Sequence, residues 1–183
     1  TWLSPVANTR DFSKLRRGNP DRRGHFVQIE ARMSQTAAKA DKWLAVKPGT
    51  EGLVALAIGR LTAEAKGVSL PKAFASVDPL EVASTAGIKL SALEDIAAMF
   101  VEAQHPLAIP GGAALGLSNG LATAEAVLTL NAFADNFGKA GGVFISPLSP
   151  NEDDYHRPAS SKEMAAFVEK LKSGGIKVLF VHG

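Results

Sequence analysis

Three stretches decide the fold: His25-Phe26-Val27-Gln28-Ile29-Glu30, then Lys42-Trp43-Leu44-Ala45-Val46, then Pro48-Gly49-Thr50-Glu51 and the run behind it. The first two are short apolar runs of β-rich residues and read as strands. The third opens a helix reaching about Lys66, with Leu53, Leu56, Ala57, Arg60 and Leu61 at helical spacing and Gly67 as its stop. Apolar strands followed by amphipathic helices predict a parallel sheet covered on both faces.

The same alternation extends in both directions. Val6–Leu15 reads as a helix or turn ahead of a Gly/Pro/Arg loop at 16–24, and Ser34–Ala40 as a short helical turn. Residues 68–90 read as short helices broken at Asp78-Pro79 and Ala86-Gly87. Ser91-Ala92-Leu93-Glu94 fits a capping box at the start of a helix that buries Leu93, Ile96, Ala97, Phe100 and Val101. Pro106–Ile109 reads as a strand running into Pro110-Gly111-Gly112, and Leu121–Phe137 as a long apolar helix. Beyond the loop Lys139–Val143 come a strand-like Phe144-Ile145 and a polar connection at 146–160. A helix Ser161–Ser173 follows, carrying Met164, Phe167, Val168 and Leu171 on one face, then a final strand-type run Ile176–Val181. The fold class expected is α/β, doubly wound and Rossmann-like, its mostly parallel sheet flanked by helices on both faces.

Composition narrows the chemistry. The 183 residues are 46% hydrophobic and 21% charged, which is neither a disordered tail nor a membrane span. The absence of Cys excludes disulfides, thiolate metal sites and a cysteine nucleophile within this stretch. Four scattered histidines (25, 105, 156 and 182) argue against an all-protein metal site. His105 and His182 read as structural or loop residues, and Asp153-Asp154-Tyr155-His156 as a solvent- or partner-facing loop. Charge is uneven: residues 1–50 hold ten Lys/Arg against four Asp/Glu, while the remainder is net acidic. The cluster Lys14, Arg16, Arg17, Arg22, Arg23 lacks interleaved aromatic stacking platforms, so no nucleic acid partner is expected.

In doubly wound sheets ligands sit beyond the carboxyl ends of strands. Glu30 and Arg32 follow the first strand, where an acid accepts hydrogen bonds from a ribose and a guanidinium pairs with phosphate. They also read as a plain surface acid beside a surface base. Gly49, Thr50 and Glu51 stand at a helix start, suited either to a ligand against free amides or to ordinary capping. Ser118 and Asn119 close the small-residue loop Gly111–Gly120, which is neither a phosphate-binding Gly-Lys-Ser/Thr loop nor a strict dinucleotide fingerprint. No nucleophile–base–orienter set is visible, so no catalytic residue is expected.

Taken in order, Phe26–Trp43 and Val46–Leu56 resemble the strand, acid-Pro-Arg, Thr-Ala, Ala-Asp-Trp and Pro-Gly-Thr-Asp/Glu signature of the molybdopterin oxidoreductase family. Gly111-Gly112 to Ser118-Asn119-Gly120, and Leu130-Asn131 through Lys139 to Gly141-Gly142-Val143, are similar to that family's glycine loop and Leu-Asn-x-Leu-x-Gly-Asn-x-Gly-Lys-x-Gly-Gly stretch. Ala31 stands where the family usually has Pro, and Asp135 where it often has Gly. Thr1–Val6 is similar to the polysulfide-reductase-like branch and to the iron–sulfur, molybdopterin-like subunit of quinol-oxidising alternative complex III.

The resemblance implies that residues 1–183 are one cofactor-binding-type domain of a longer subunit, its first strand upstream of Thr1. In cofactor-bearing relatives such a domain holds a guanosine diphosphate arm of molybdopterin guanine dinucleotide, which carried over by position would meet Glu30, Arg32, Gly49, Thr50, Glu51, Ser118 and Asn119. In the alternative complex III branch the domain is an empty scaffold. The implied partners are the rest of the subunit with its iron–sulfur clusters and membrane-integral quinol-binding subunits, with no span in this chain. The implied location is the periplasmic face of a bacterial inner membrane, or alternatively the cytoplasm.

Overall fold

The computed structural model describes residues 4–17, 23–145 and 159–181. It divides into two compact units, 1–144 and 145–183. The first contains α1 (Pro5–Arg16), β1 (Val27–Glu30), β2 (Lys42–Ala45), α2 (Glu51–Lys66), α3 (Lys72–Ala75), α4 (Pro79–Ala86), α5 (Leu90–Glu102) and α6 (Gly120–Phe133). The second contains α7 (Ser161–Lys172).

The class is mixed α/β, mostly helical around a small sheet. β1 and β2 pair in parallel, with Val27 opposite Lys42 and Glu30 opposite Ala45. A 3-10 turn at Ala37–Lys39 makes the crossover between them. The broad doubly wound sheet expected from the sequence is represented among the described residues by these two strands. The stretch 106–109 forms no strand and makes no ladder. It is held instead by Asn131 of α6, whose side-chain amide accepts from the Ala108 amide (2.9 Å) and donates to the Ala108 carbonyl (2.8 Å). One buried side chain thus satisfies both backbone groups that a neighbouring strand would otherwise take. Phe144-Ile145 likewise form no strand; among the described residues the pairing nearby is an isolated bridge between Phe137 and Val143. The run at 176–181 forms no strand and bends at Lys177, and Phe180 is 92% exposed.

The main core joins Leu44 and Val46 to Val54, Ala57 and Ile58 of α2, Val82, Ala83 and Ala86 of α4, Leu93, Ile96 and Ala97 of α5, and Leu130 of α6. A second cluster, Ala55, Ala63, Phe74, Ala126 and Phe133, fills the α2–α6 seam, with Phe74 and Phe133 edge to face at 5.1 Å. α2 meets both through glycines: a Cβ on Gly52 would lie 2.6 Å from Thr123 Oγ1, and one on Gly59 2.3 Å from the Phe74 ring. The buried stripe of α2 is therefore rotated from the expected one, and Leu53 is exposed.

Two boundaries differ from expectation. The chain is extended at Lys89 and already helical at Leu90, so Ser91 lies inside α5 and makes no cap. A capping box does form at α7, where Ser160 and Glu163 exchange hydrogen bonds. α6 ends at Phe133 rather than Phe137, because Asp135 turns left-handed (φ 54°) and Asn136 folds back to donate to the Pro106 carbonyl. The family-like stretch from Leu130 to Gly142 is thus a polar lock between the end of α6 and residues 106–108. α4 starts and stops as expected, capped by the Asp78 carboxylate and closed by left-handed Gly87. Residues 146–158 and 182–183, with Asp153, Asp154, Tyr155, His156 and His182, lie outside the described residues.

Candidate functional site

The parallel register places Glu30 and Ala45 side by side at the carboxyl end of the sheet, and the chain leaves Ala45 through Val46–Gly49 into α2. α6 begins at the same end. Gly52 faces Thr123 and Gly59 faces Leu130, both pairs advancing in the same sense, so α2 and α6 run parallel with adjacent N-termini. The positive ends of two helix dipoles thus lie together, though at α6 the Gly120 amide already donates to the Leu117 carbonyl (2.9 Å).

One hydrogen bond joins the two starts: Asn119 Nδ2 donates to the Gly49 carbonyl at 3.2 Å. Gly49 has φ +84°, a conformation that suits glycine, and a Cβ there would meet only Leu117 at 3.9 Å. Thr50 precedes α2, yet its hydroxyl donates backward to the Lys47 carbonyl (2.7 Å) rather than capping the helix. Glu51 occupies the first helical position, where a carboxylate suits the dipole. Ser118 is exposed and makes no side-chain hydrogen bond among the described residues.

Glu30 ends β1. Its carboxylate accepts from the Ser34 amide (2.8 Å) and from Gln28 (3.3 Å), while its carbonyl accepts from the Trp43 indole (3.1 Å). Desolvation raises the Glu30 carboxyl, but the bonds from Ser34 and Gln28 and the charge of Arg32 outweigh it and hold the group below its ordinary range. Arg32 is exposed. The structure therefore joins Gly49, Thr50 and Glu51 to Ser118 and Asn119 through one bond. It sets Glu30 and Arg32 at the same end of the sheet, with no hydrogen bond to the other five among the described residues.

A polar hub escaped the sequence reading. Asp41 accepts from Arg16 (2.8 Å to one oxygen), from Arg23 (2.8 Å) and from the Phe26 amide (2.8 Å). The Arg16 hydrogen bond leads these effects in holding its carboxyl far below the ordinary range, against the opposing pull of desolvation. The signal was present in the sequence: two members of the basic cluster, Arg16 and Arg23, answer to this one acid. Among the described residues no group of three His, Asp or Glu could hold a metal ion.

The polar atoms test the fit of a guanine nucleotide arm. Glu30, Thr50 and Asn119, the side chains best suited to read such a group, all bond to their own chain. In this arrangement the three side chains are engaged within the chain, while the paired helix starts offer generic anion-binding amides.

No family model matches the chain. It is similar to the menaquinone reductase molybdopterin-binding-like subunit of Nitratidesulfovibrio vulgaris, 28% identical over 155 residues. The match covers 81% of this chain and 22% of that protein, so the chain spans about a fifth of the length of the curated relative it matches. The likeness supports a molybdopterin-related family. No helix among the described residues is long and apolar enough to cross a membrane.

Proposed function

We propose that this chain is a non-catalytic scaffold domain of a molybdopterin-oxidoreductase-like subunit, within a membrane-bound respiratory complex that passes electrons between quinol and iron–sulfur clusters. The observation that carries this reading is the inward engagement of the candidate nucleotide contacts. Asn119 bonds Gly49, Thr50 bonds Lys47, and Glu30 bonds Ser34 and Gln28. Groups that would recognise a ribose or guanine edge here stitch loops together. A relative whose name calls it molybdopterin-binding-like, in a menaquinone reductase, supports the same reading. The iron–sulfur clusters, the quinol site and the membrane-integral partners belong on this account to other segments and subunits. The location proposed is the periplasmic face of the inner membrane.

A second reading has its own observation. The adjacent N-termini of α2 and α6, with Gly49 open to close approach, favour a bound diphosphate. On that reading the domain would hold the guanosine diphosphate arm of an active molybdenum enzyme, and only the first-turn amides would contact it in the present arrangement. Titration of the chain with guanosine 5′-diphosphate, followed by the fluorescence of Trp43 beside Glu30, separates the two. The scaffold reading predicts no saturable change. Saturation that Asn119→Ala alters would favour the nucleotide arm.

A further inference from the structure

We propose that the outward face of α1 is a docking surface for an acidic polypeptide helix. α1 buries no residue. It is held to the body from one side only, by Phe12 edge-on to Phe26 at 5.9 Å, by Leu15 against Gly24, and by Arg16 on Asp41. The opposite stripe, at helical spacing, carries Val6, Arg10 and Ser13 and runs to Arg17 at the C-cap; Pro5, Val6, Thr9, Arg10 and Ser13 line a shallow groove along it. Val6 is 72% exposed.

Among the described residues the acids nearby are already occupied. Lys14 takes Asp11 at 2.8 Å, and Arg16 and Arg23 take Asp41. Arg10 and Arg17 have no ion-pair partner among the described residues, in the half of the chain that carries its excess positive charge. Guanidinium groups bind carboxylates through two parallel N–H bonds, a geometry they share with phosphates; the groove that sets Val6 beside Arg10 favours a protein surface as the source of the acid. Seven residues of helix separate the two arginines by about 10 Å, which matches carboxylates two turns apart on a partner helix.

Other anions suit this face less well. Phe12, the aromatic residue of α1, is turned onto Phe26, so no ring is left to stack a base. Val6 is the stripe's one large aliphatic side chain, too little to enter a lipid interface. This inference is independent of the proposed function, because it does not involve the helix starts near Gly49.

The test is titration of the whole chain with a fluorescently labelled poly-L-glutamate peptide at low and at physiological salt. Parallel arms use phosphatidylglycerol vesicles and duplex DNA, and sedimentation monitors self-association. Binding should weaken at least about tenfold on raising the salt, and Arg10→Glu/Arg17→Glu should weaken it at least about tenfold further. Lys72→Glu/Lys89→Glu, which makes the same change in net charge at exposed sites elsewhere, should leave the affinity within about twofold. Circular dichroism checks that both variants stay folded. Equal losses in the two variants would overturn the proposal. So would α1-dependent binding to vesicles or DNA in place of peptide, or a dimer that the α1 variant abolishes.

Discussion

Asn119 donates its side-chain amide to the carbonyl of Gly49, 3.2 Å away and 70 residues earlier in the chain. Through it the turn that leaves β2 and the loop that starts α6 become one unit. Asn119→Ala removes the one side-chain bond that joins the two starts among the described residues. The expected cost is about 0.5–1.5 kcal/mol, read from denaturant unfolding, with faster hydrogen exchange confined to residues near 48–50 and 117–121. Unchanged exchange there would show that helix packing alone sets the geometry.

The α2–α6 seam gives a sharper test. Gly52→Ala improves helix propensity by about 1 kcal/mol, yet its new methyl would stand 2.6 Å from Thr123 Oγ1. The clash should win and destabilise the chain by about 1–2 kcal/mol. Adding Thr123→Ala removes the hydroxyl and should restore part of the loss. A double-mutant cycle with no coupling would contradict parallel packing at this point.

Asp135 holds a left-handed conformation (φ 54°) that favours glycine. Its ion pair with Lys139 is solvent-exposed and contributes little. Asp135→Gly should therefore stabilise the protein by a few tenths to about 1 kcal/mol, seen as a raised thermal midpoint. A lowered midpoint would mean that the Lys139 contact matters more than the backbone.

Asp41 is expected to contribute to the acid limb of stability. Its folded-state carboxyl lies below the ordinary 3.8, led by the hydrogen bond from Arg16, so its contribution is complete above that value. It is lost as pH falls from about 4 toward the folded value. Asp41→Asn should cost about 1–2 kcal/mol at neutral pH and flatten the fall below pH 4, measured by urea unfolding across pH. A variant as acid-sensitive as the wild type would place the sensitivity elsewhere.

Much of this fold was legible because local chemistry agreed with tertiary context. β1, β2, α2 and α4 carry their own apolar runs and stops, down to Asp78 at one cap and Gly87 at the other. Ser91-x-x-Glu94 misled because a capping box needs extended backbone at the serine, and the chain turns helical before it. The strand expected at 106–109 does not form: two buried asparagines, 23 and 30 residues away, take its backbone groups. At the candidate site the sequence located Gly49, Thr50, Ser118 and Asn119 at helix starts. It did not reveal that Thr50 and Asn119 turn their polar atoms inward, which depends on neighbours brought in by α2–α6 packing.

The central claim is that the domain serves as a scaffold. It is tested most directly by the metal and pterin content of the purified full-length parent subunit. Elemental analysis for molybdenum and tungsten, with fluorescence of oxidatively released pterin, should show neither in amounts stoichiometric with the subunit. One molybdenum or tungsten with released guanine-bearing pterin per subunit would contradict the scaffold reading and establish the domain as a cofactor holder.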